Sequence, residues 1–355
     1  MITTVATTSN TKVAETIRAC QENLLESYPD TLIFGLGVND PKRVFGTTTG
    51  LVERFGGTRV FETPTAENSS MGIAVGLAIS GFKPIVVHQR LDFFLLAMDQ
   101  LVNSAAKWRF MFGDAYETAI VIRLIVGRGW GQGPTHSQNL HAWFTHIPGL
   151  RVFFPTFADD FKTIFDNAFN QKFPVVLIED RWIHSTEQSM EKTKVKFGEA
   201  RLVSKGGDLS LITFGFNTIL GMQVSEFYKK LGIQIDHIDL VSLKPIDFKK
   251  IFNSVAKTGR LIIIDSGFEM SSLGSYISHE VNKLCFAKLK SPIEVLTAGD
   301  FPETSSHGII GSLKISAESI ARVIQRNLKL GAIANFQELK PKFVDVPDER
   351  FKGPF

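Results

Sequence analysis

Short apolar runs rich in β-branched residues alternate along this chain with longer helical stretches, and that alternation limits the fold more than any other feature. The runs 31–34, 83–87, 118–125, 152–155, 174–178, 208–214, 232–240 and 260–265 read as strands. Helical segments, punctuated by glycine and proline, stand between them. Strands linked through helices join by right-handed crossovers into parallel sheets. The fold class expected is α/β, with two doubly wound domains. They are placed at 1–190 and 191–330, with a C-terminal tail at 331–355. The boundary is drawn where residues 184–207 turn polar and read as a linker plus an edge hairpin. The tail holds three prolines after residue 335 and cannot form its own core, so it is expected to be disordered or draped on a neighbour. The polar residues 1–10 are expected to fray.

Composition narrows the functional classes. A chain of 355 residues, 44% hydrophobic and 21% charged, has the makeup of a globular protein with an ample core. Its net charge of +3 is too small to argue for nucleic acid or a membrane surface. No apolar run reaches transmembrane length, and the first residues lack the charged and apolar regions of a secretory signal. Cys20 and Cys285 lie far apart in apolar, helical-looking runs. No disulfide framework is expected, and a cytoplasmic setting is the default.

The stretch 61–87, FETPTAENSSMGIAVGLAISGFKPIVV, organises the rest. It reads as strand end, acidic loop, small-residue helix and second strand. Residues 72–79 are apolar all round, which predicts a helix buried on every side. Glu67, Ser69 and Ser70 stand at its start. The plain reading of Glu67 is a carboxylate that caps this helix.

Two later segments carry polar groups in apolar surroundings. After the run 83–87 come His88, Arg90, Asp92 and Phe93, where core packing is the simplest role for the phenylalanine. A helix is predicted over 98–108. The sequence Gly127-Arg-Gly-Trp-Gly-Gln-Gly-Pro134 has four glycines in seven residues. It lacks the spacing of a dinucleotide fingerprint and the Lys-Ser/Thr of a phosphate-binding loop. Such glycines either let backbone approach a ligand or form a flexible surface loop. His136 follows and is expected to open an aromatic-rich helix. His141 and His146 read as structural, and no histidine cluster has metal-binding company.

These segments together carry a resemblance. Pro64-x-x-Glu67 followed by Gly72-Ile-x-Val-Gly76 is similar to the pyrimidine-binding domain of thiamine diphosphate (ThDP) enzymes. Asp99-x-x-x-Asn103-Ser-Ala-Ala-Lys107 resembles the beta subunit of the 2-oxo acid dehydrogenase first component, of the pyruvate dehydrogenase type. The segment 239–247, and 268–275 after it, resembles the transketolase C-terminal domain. The resemblance implies that Glu67 hydrogen-bonds the aminopyrimidine ring nitrogen and favours the tautomer that activates the coenzyme. It implies that Phe93 stacks on the pyrimidine. His136 matches the family's His-Ser-Gln motif and would act on charge developing on a 2-oxo acid adduct. Glu269 and His307 would be structural or interface residues. Two departures stand out. Leu36-Gly37 replaces an acidic pair, and His88, Arg90 and Leu91 replace aromatic or apolar residues.

The family holds the magnesium of ThDP with a Gly-Asp-Gly motif and a distal asparagine. Gly113-Asp114-Ala115, Gly207-Asp208-Leu209 and Gly299-Asp300-Phe301 are the nearest approaches in this sequence, and none completes the motif. Octahedral magnesium tolerates no easy substitute for that set. The resemblance therefore implies an alpha-type partner that holds the magnesium and the diphosphate. It also implies a heterotetramer of two alpha and two beta chains with beta–beta contacts, and a possible lipoyl-bearing acyltransferase downstream. Two other readings remain open at this point: the C-terminal half of a split transketolase, and a noncatalytic scaffold or regulator.

Overall fold

A computed structural model describes residues 11–129, 131–188, 195–331 and 336–340. The expectations for residues 1–10 and for the tail beyond 340 lie outside the described residues. The strands run in chain order as β1 (Thr11–Lys12), β2 (Thr31–Gly35), β3 (Val60–Glu62), β4 (Lys83–His88), β5 (Val121–Val126), β6 (Arg151–Phe153), β7 (Val175–Asp180) and β8 (Glu187–Gln188). They continue as β9 (Arg201–Ser204), β10 (Leu209–Thr213), β11 (Ile235–Asp239), β12 (Ser242–Lys244), β13 (Leu261–Phe268) and β14 (Glu294–Ala298).

Beside the short antiparallel pair β1-β8, two large sheets result, both covered by helices as the alternation requires. The larger has the order β12-β6-β7-β5-β4-β2-β3 and the smaller β14-β13-β10-β11-β9. Each is parallel except for one edge strand: β12 runs antiparallel to β6, and β9 antiparallel to β11. The α/β class with mostly parallel sheets thus stands. Among the described residues no edge hairpin forms, because β9 pairs with β11 rather than with a sequence neighbour. A second surprise is β12. It lies between β11 and β13 in sequence, yet it closes the edge of the larger sheet.

Alternating side chains send each strand's residues to opposite faces. On one face of the larger sheet Ile33, Ile85 and Leu177 pack with Val13, Ile17, Phe161 and Phe165 of the helices Val13–Ser27 and Ala158–Ala168. On the other, Phe34, Val86, Ile122 and Ile178 join a core that runs on into Ile212, Ile238 and Ile263 of the smaller sheet. One apolar body therefore spans both sheets.

At the centre of β5, Arg123 is fully buried. Its guanidinium donates to both Glu179 oxygens at 2.5 and 2.8 Å, to Gln21 at 3.0 Å and to Thr47 at 2.9 Å. Burial pushes the Glu179 carboxyl up, but the Arg123 charge and the hydrogen bonds from Arg123 and His184 outweigh it and hold it at about 2. A buried ion pair this well hydrogen-bonded fixes geometry more than it adds stability. It ties β5, β7, the helix Val13–Ser27 and the loop at Thr47 together.

Three local expectations change. The helix over 98–108 is broken: a 3-10 turn at Leu95–Ala97 leads to a π turn at Gln100–Ala105, where Ala106 N–H donates to Leu101 at 2.9 Å. The helix Glu67–Ile79 is buried on one face only, with Ile73 55% exposed. Phe336 and Leu339, in the expected tail, are buried against the second sheet's helices, with the Phe336 ring 5.6 Å from Phe227.

Candidate functional site

Open α/β sheets bind ligands beyond the carboxyl ends of their strands, where successive connections leave in opposite directions. In the larger sheet that point lies between β2 and β4. Gly35, Glu62 and Val87 share one level of the ladder there. The segments leaving β2, β3, β4 and β5 therefore converge. They carry, in turn, Leu36-Gly37, Glu67, residues 88–93, and residues 127–138.

The first segment is tightly packed. Gly35 has φ +141°, and a Cβ on it would stand 2.1 Å from the Val87 carbonyl oxygen. At Gly37, φ is +80° and a Cβ would meet the Gln89 side chain at 1.7 Å. The Gly37 and Asn39 N–H groups donate to Glu62 at 2.6 and 2.9 Å. This turn offers backbone, and no carboxylate of its own, to the site.

Glu67 is the first residue of the helix Glu67–Ile79 and is only 5% exposed. The preceding Ala66 makes no side-chain cap, and the Glu67 carboxyl has no hydrogen-bond or ion-pair partner among the described residues. The plain capping reading is therefore not what is found. The side chain is largely covered, yet its carboxyl oxygens are not among the fully buried unpaired atoms, so the group stays open to a donor from outside the chain.

Phe93 and His136 meet. Their rings stand edge to face with centroids 5.2 Å apart, and both are open to solvent on one side. His136 does not open a helix as expected. It sits in a turn, with Nδ1 3.0 Å from the Thr135 hydroxyl, and the next helix begins only at His141. No hydrogen bond or ion pair links Glu67 to this pair of rings.

The residues that depart from the family pattern have clear places. His88 is buried at the end of β4, edge to face with Phe94 at 4.7 Å. Neither ring nitrogen has a partner, and burial pushes its pKa down to about 3. It is a neutral aromatic in the core. Leu91 is fully buried. Arg90 and Asp92 turn toward the glycine loop. Arg90 donates to the Gly127 and His136 carbonyls at 3.2 and 2.8 Å and to Gln132 at 2.5 Å. Asp92 accepts from the Gln138 backbone and side chain at 3.2 and 3.0 Å. Sequence reasoning did not foresee these ties to the loop. The signal was two charges inside an otherwise apolar segment.

His141 is structural, as expected. Its Nε2 lies 3.0 Å from Asp265 of β13, with both side chains fully buried, so it pins the two sheets together. Glu269 and His307 are exposed. A small cavity of about 60 Å³ lies between the sheets, lined in part by Arg128, Asp180, Trp182 and Asn217, but Glu67, Phe93 and His136 do not line it. Among the described residues no group of three or more His, Cys, Asp or Glu is arranged to hold a metal, and no helix is long and apolar enough to cross a membrane.

A doubly wound sheet with this cluster at its switch point, followed by a second such sheet, defines a transketolase-type chain. Residues 11–183 match the family described as the transketolase pyrimidine binding domain, and residues 198–320 match the transketolase C-terminal domain. The chain belongs to the family of beta subunits of the 2-oxo acid dehydrogenase first component. It is 34% identical over 295 residues to the pyruvate dehydrogenase E1 component subunit beta of Rickettsia conorii, covering 82% of this chain and 90% of that one. It is 33% identical over 308 residues to the acetoin:2,6-dichlorophenolindophenol oxidoreductase subunit beta of Cupriavidus necator, covering 85% and 91%. The mitochondrial pyruvate dehydrogenase E1 beta subunit of Saccharomyces cerevisiae is 32% identical over 304 residues, covering 84% and 83%. Among solved structures, one described as a split gene transketolase, inactive beta4 tetramer, superposes with a TM-score of 0.74 at 19% identity, over 91% of this chain and 100% of that chain. Transketolase from Campylobacter jejuni gives 0.67 at 14% identity, over 90% and 47%. These two likenesses concern the fold.

Proposed function

We propose that this chain is the beta-type half of a ThDP-dependent 2-oxo acid decarboxylating enzyme, and that Glu67 engages the pyrimidine of the coenzyme. The observation that carries the reading is Glu67 at the switch point of the larger sheet, a largely covered residue whose carboxyl has no protein partner among the described residues. That carboxyl suits a ring nitrogen, since it has no competing protein donor and a hydrogen bond to a charged group is among the stronger ones. ThDP, when bound, supplies the nucleophilic carbon for decarboxylation. Phe93, with an open ring face, would pack on the pyrimidine. His136, exposed beside it, would hold a proton at the oxygen of the 2-oxo acid.

The diphosphate and magnesium would be held by an alpha-type partner, because the Gly-Asp-Gly motif is missing from these 355 residues. The apolar Ile73, exposed on the same helix that Glu67 begins, is suited to a covering chain. The assembly would contain two alpha and two beta chains. Which 2-oxo acid enters depends on a pocket shared with the partner, and a lipoyl-bearing acyltransferase is the fitting acceptor.

Glu67→Gln in the copurified pair is the test. Turnover of a 2-oxo acid should fall by at least about a hundredfold while the pair stays assembled, and wild-type turnover would remove Glu67 from its role. A second reading, a scaffold that keeps the fold without the chemistry, draws on the absent carboxylate at Leu36-Gly37. Calorimetric titration of ThDP and magnesium into the pair separates the two, because a scaffold would take up no coenzyme.

A further inference from the structure

The loop that carries His136 is rich in glycine, and near its start Arg128 reaches out of it to Glu303 at 3.6 Å. Gly127, Gly129, Gly131 and Gly133 all have positive φ, at +159°, +113°, +71° and +40°. Glycine backbone loses more conformational freedom than any other when it is fixed, so such a loop keeps a defined form only if something outside it ties it down.

We propose that Arg90 is a positioning residue that laces the neck of this loop and thereby sets where the His136 ring stands. One nitrogen of its guanidinium, Nη1, donates to the carbonyls of Gly127 and His136, at the two ends of the loop. The other, Nη2, donates to the Gln132 side chain in its middle. Arg90 is 8% exposed. A cation held that far from water is retained only where acceptors surround it, and here three do. The planar fork of arginine spreads its donors over separate nitrogens and so spans acceptors that the one nitrogen of lysine would have to reach from a single point.

The next residues act in the same sense. Asp92 takes both hydrogen bonds that Gln138 offers, two residues beyond His136. Phe93 sets its ring against the imidazole at 5.2 Å. Arg90, Asp92 and Phe93 thus hold the loop before, at and after His136, and Leu91 among them is anchored in the core. Placement of the acid–base group by remote ties matters because a displacement of about 1 Å costs roughly a hundredfold in rate.

The proposal rests on the role given to His136 above, and the test separates the two. Hydrogen exchange is followed in Arg90→Met and wild-type chain without coenzyme, and turnover is then measured in the copurified alpha–beta pair. Exchange over residues 127–138 should rise at least about tenfold in R90M, with β4 and the helix Glu67–Ile79 unchanged. In the pair, kcat should fall about 10- to 100-fold with KM for the 2-oxo acid within about threefold. The limb of the pH profile that His136→Ala abolishes should shift in R90M. R90K should behave like R90M, and Gln132→Ala, which leaves the buried charge in place, should show a smaller change in the same direction. Wild-type loop exchange in both R90M and Q132A overturns the proposal, as does raised exchange with an unaltered kcat and pH profile. Wild-type turnover in H136A overturns instead the role given to His136.

Discussion

His88 shows how an ionisable residue can serve as an apolar one. Its ring has no polar partner and lies against Phe94. Its pKa falls from 6.5 to about 3 because the charged form cannot be solvated there. Between those two values the unfolded chain binds a proton that the folded chain refuses. Stability from this residue is therefore complete above about pH 6.5 and declines as pH falls toward 3. Replacing it with phenylalanine, an aromatic of similar size, should flatten part of that decline. The urea midpoint of His88→Phe relative to wild type should rise steadily between about pH 7 and pH 4.5. A constant difference across that range would mean that the ring is not held neutral. The sequence showed His88 only as a histidine where the resembling family has an aromatic. That the replacement leaves the core intact could not be read there, because it depends on Phe94 and on the closed end of β4.

Among the elements, the helix Phe216–Lys230 has its amino end supported from outside its own sheet. Asp180, at the end of β7, accepts from the Trp182 N–H at 3.0 Å and from the Phe216 N–H. Burial lifts the Asp180 carboxyl from 3.8 to about 7, and the two N–H groups and Arg128 only partly offset this. Folding therefore favours the protonated form, and the stability linked to this group is present below about pH 4 and lost as pH rises through 7. Asp180→Asn keeps an acceptor without a charge. Its stability relative to wild type should improve between about pH 5 and pH 8 in chemical denaturation, and an unchanged difference would rule the linkage out.

Elements were the most legible part of the sequence. The alternation of strand and helix and both free, buried cysteines are where the residues indicated. Boundaries shifted by a few residues. The larger misses share one cause: contacts between residues far apart in the chain. The π turn at Gln100–Ala105 lies where the small Ala106 meets Gly149, whose added Cβ would stand 2.0 Å from the Ala106 carbonyl oxygen. Arg123 finds Gln21, 102 positions away. Of the candidate site, Glu67, Phe93 and His136 were singled out through motif alone, while the Arg90 and Asp92 ties to the loop needed the third dimension.

At the scale of the whole molecule, the two halves are less separable than two matched domains suggest. β12 comes from the second half of the sequence, yet Ser242 and Lys244 stand opposite Phe153 and Val152 of β6. Lys244 also donates to the Thr145 and Ile147 carbonyls at 2.8 and 2.6 Å. Phe154 N–H donates to the Val241 carbonyl at 2.8 Å, and Gly215 N–H to that of Phe154 at 3.3 Å. The pair His141–Asp265 adds a polar bolt across the same seam. Cutting the gene at the linker would strip β6 of its neighbour and leave an unpaired strand edge, the usual template for aggregation. A fragment of residues 1–190 expressed alone should precipitate or self-associate, and adding residues 195–355 in trans should rescue it as a two-piece complex in sedimentation. A monomeric, well-folded 1–190 fragment would contradict this. Lineages that shuffle such modules would then have to carry β12 along with the first sheet, so the inheritable unit is the pair rather than either half.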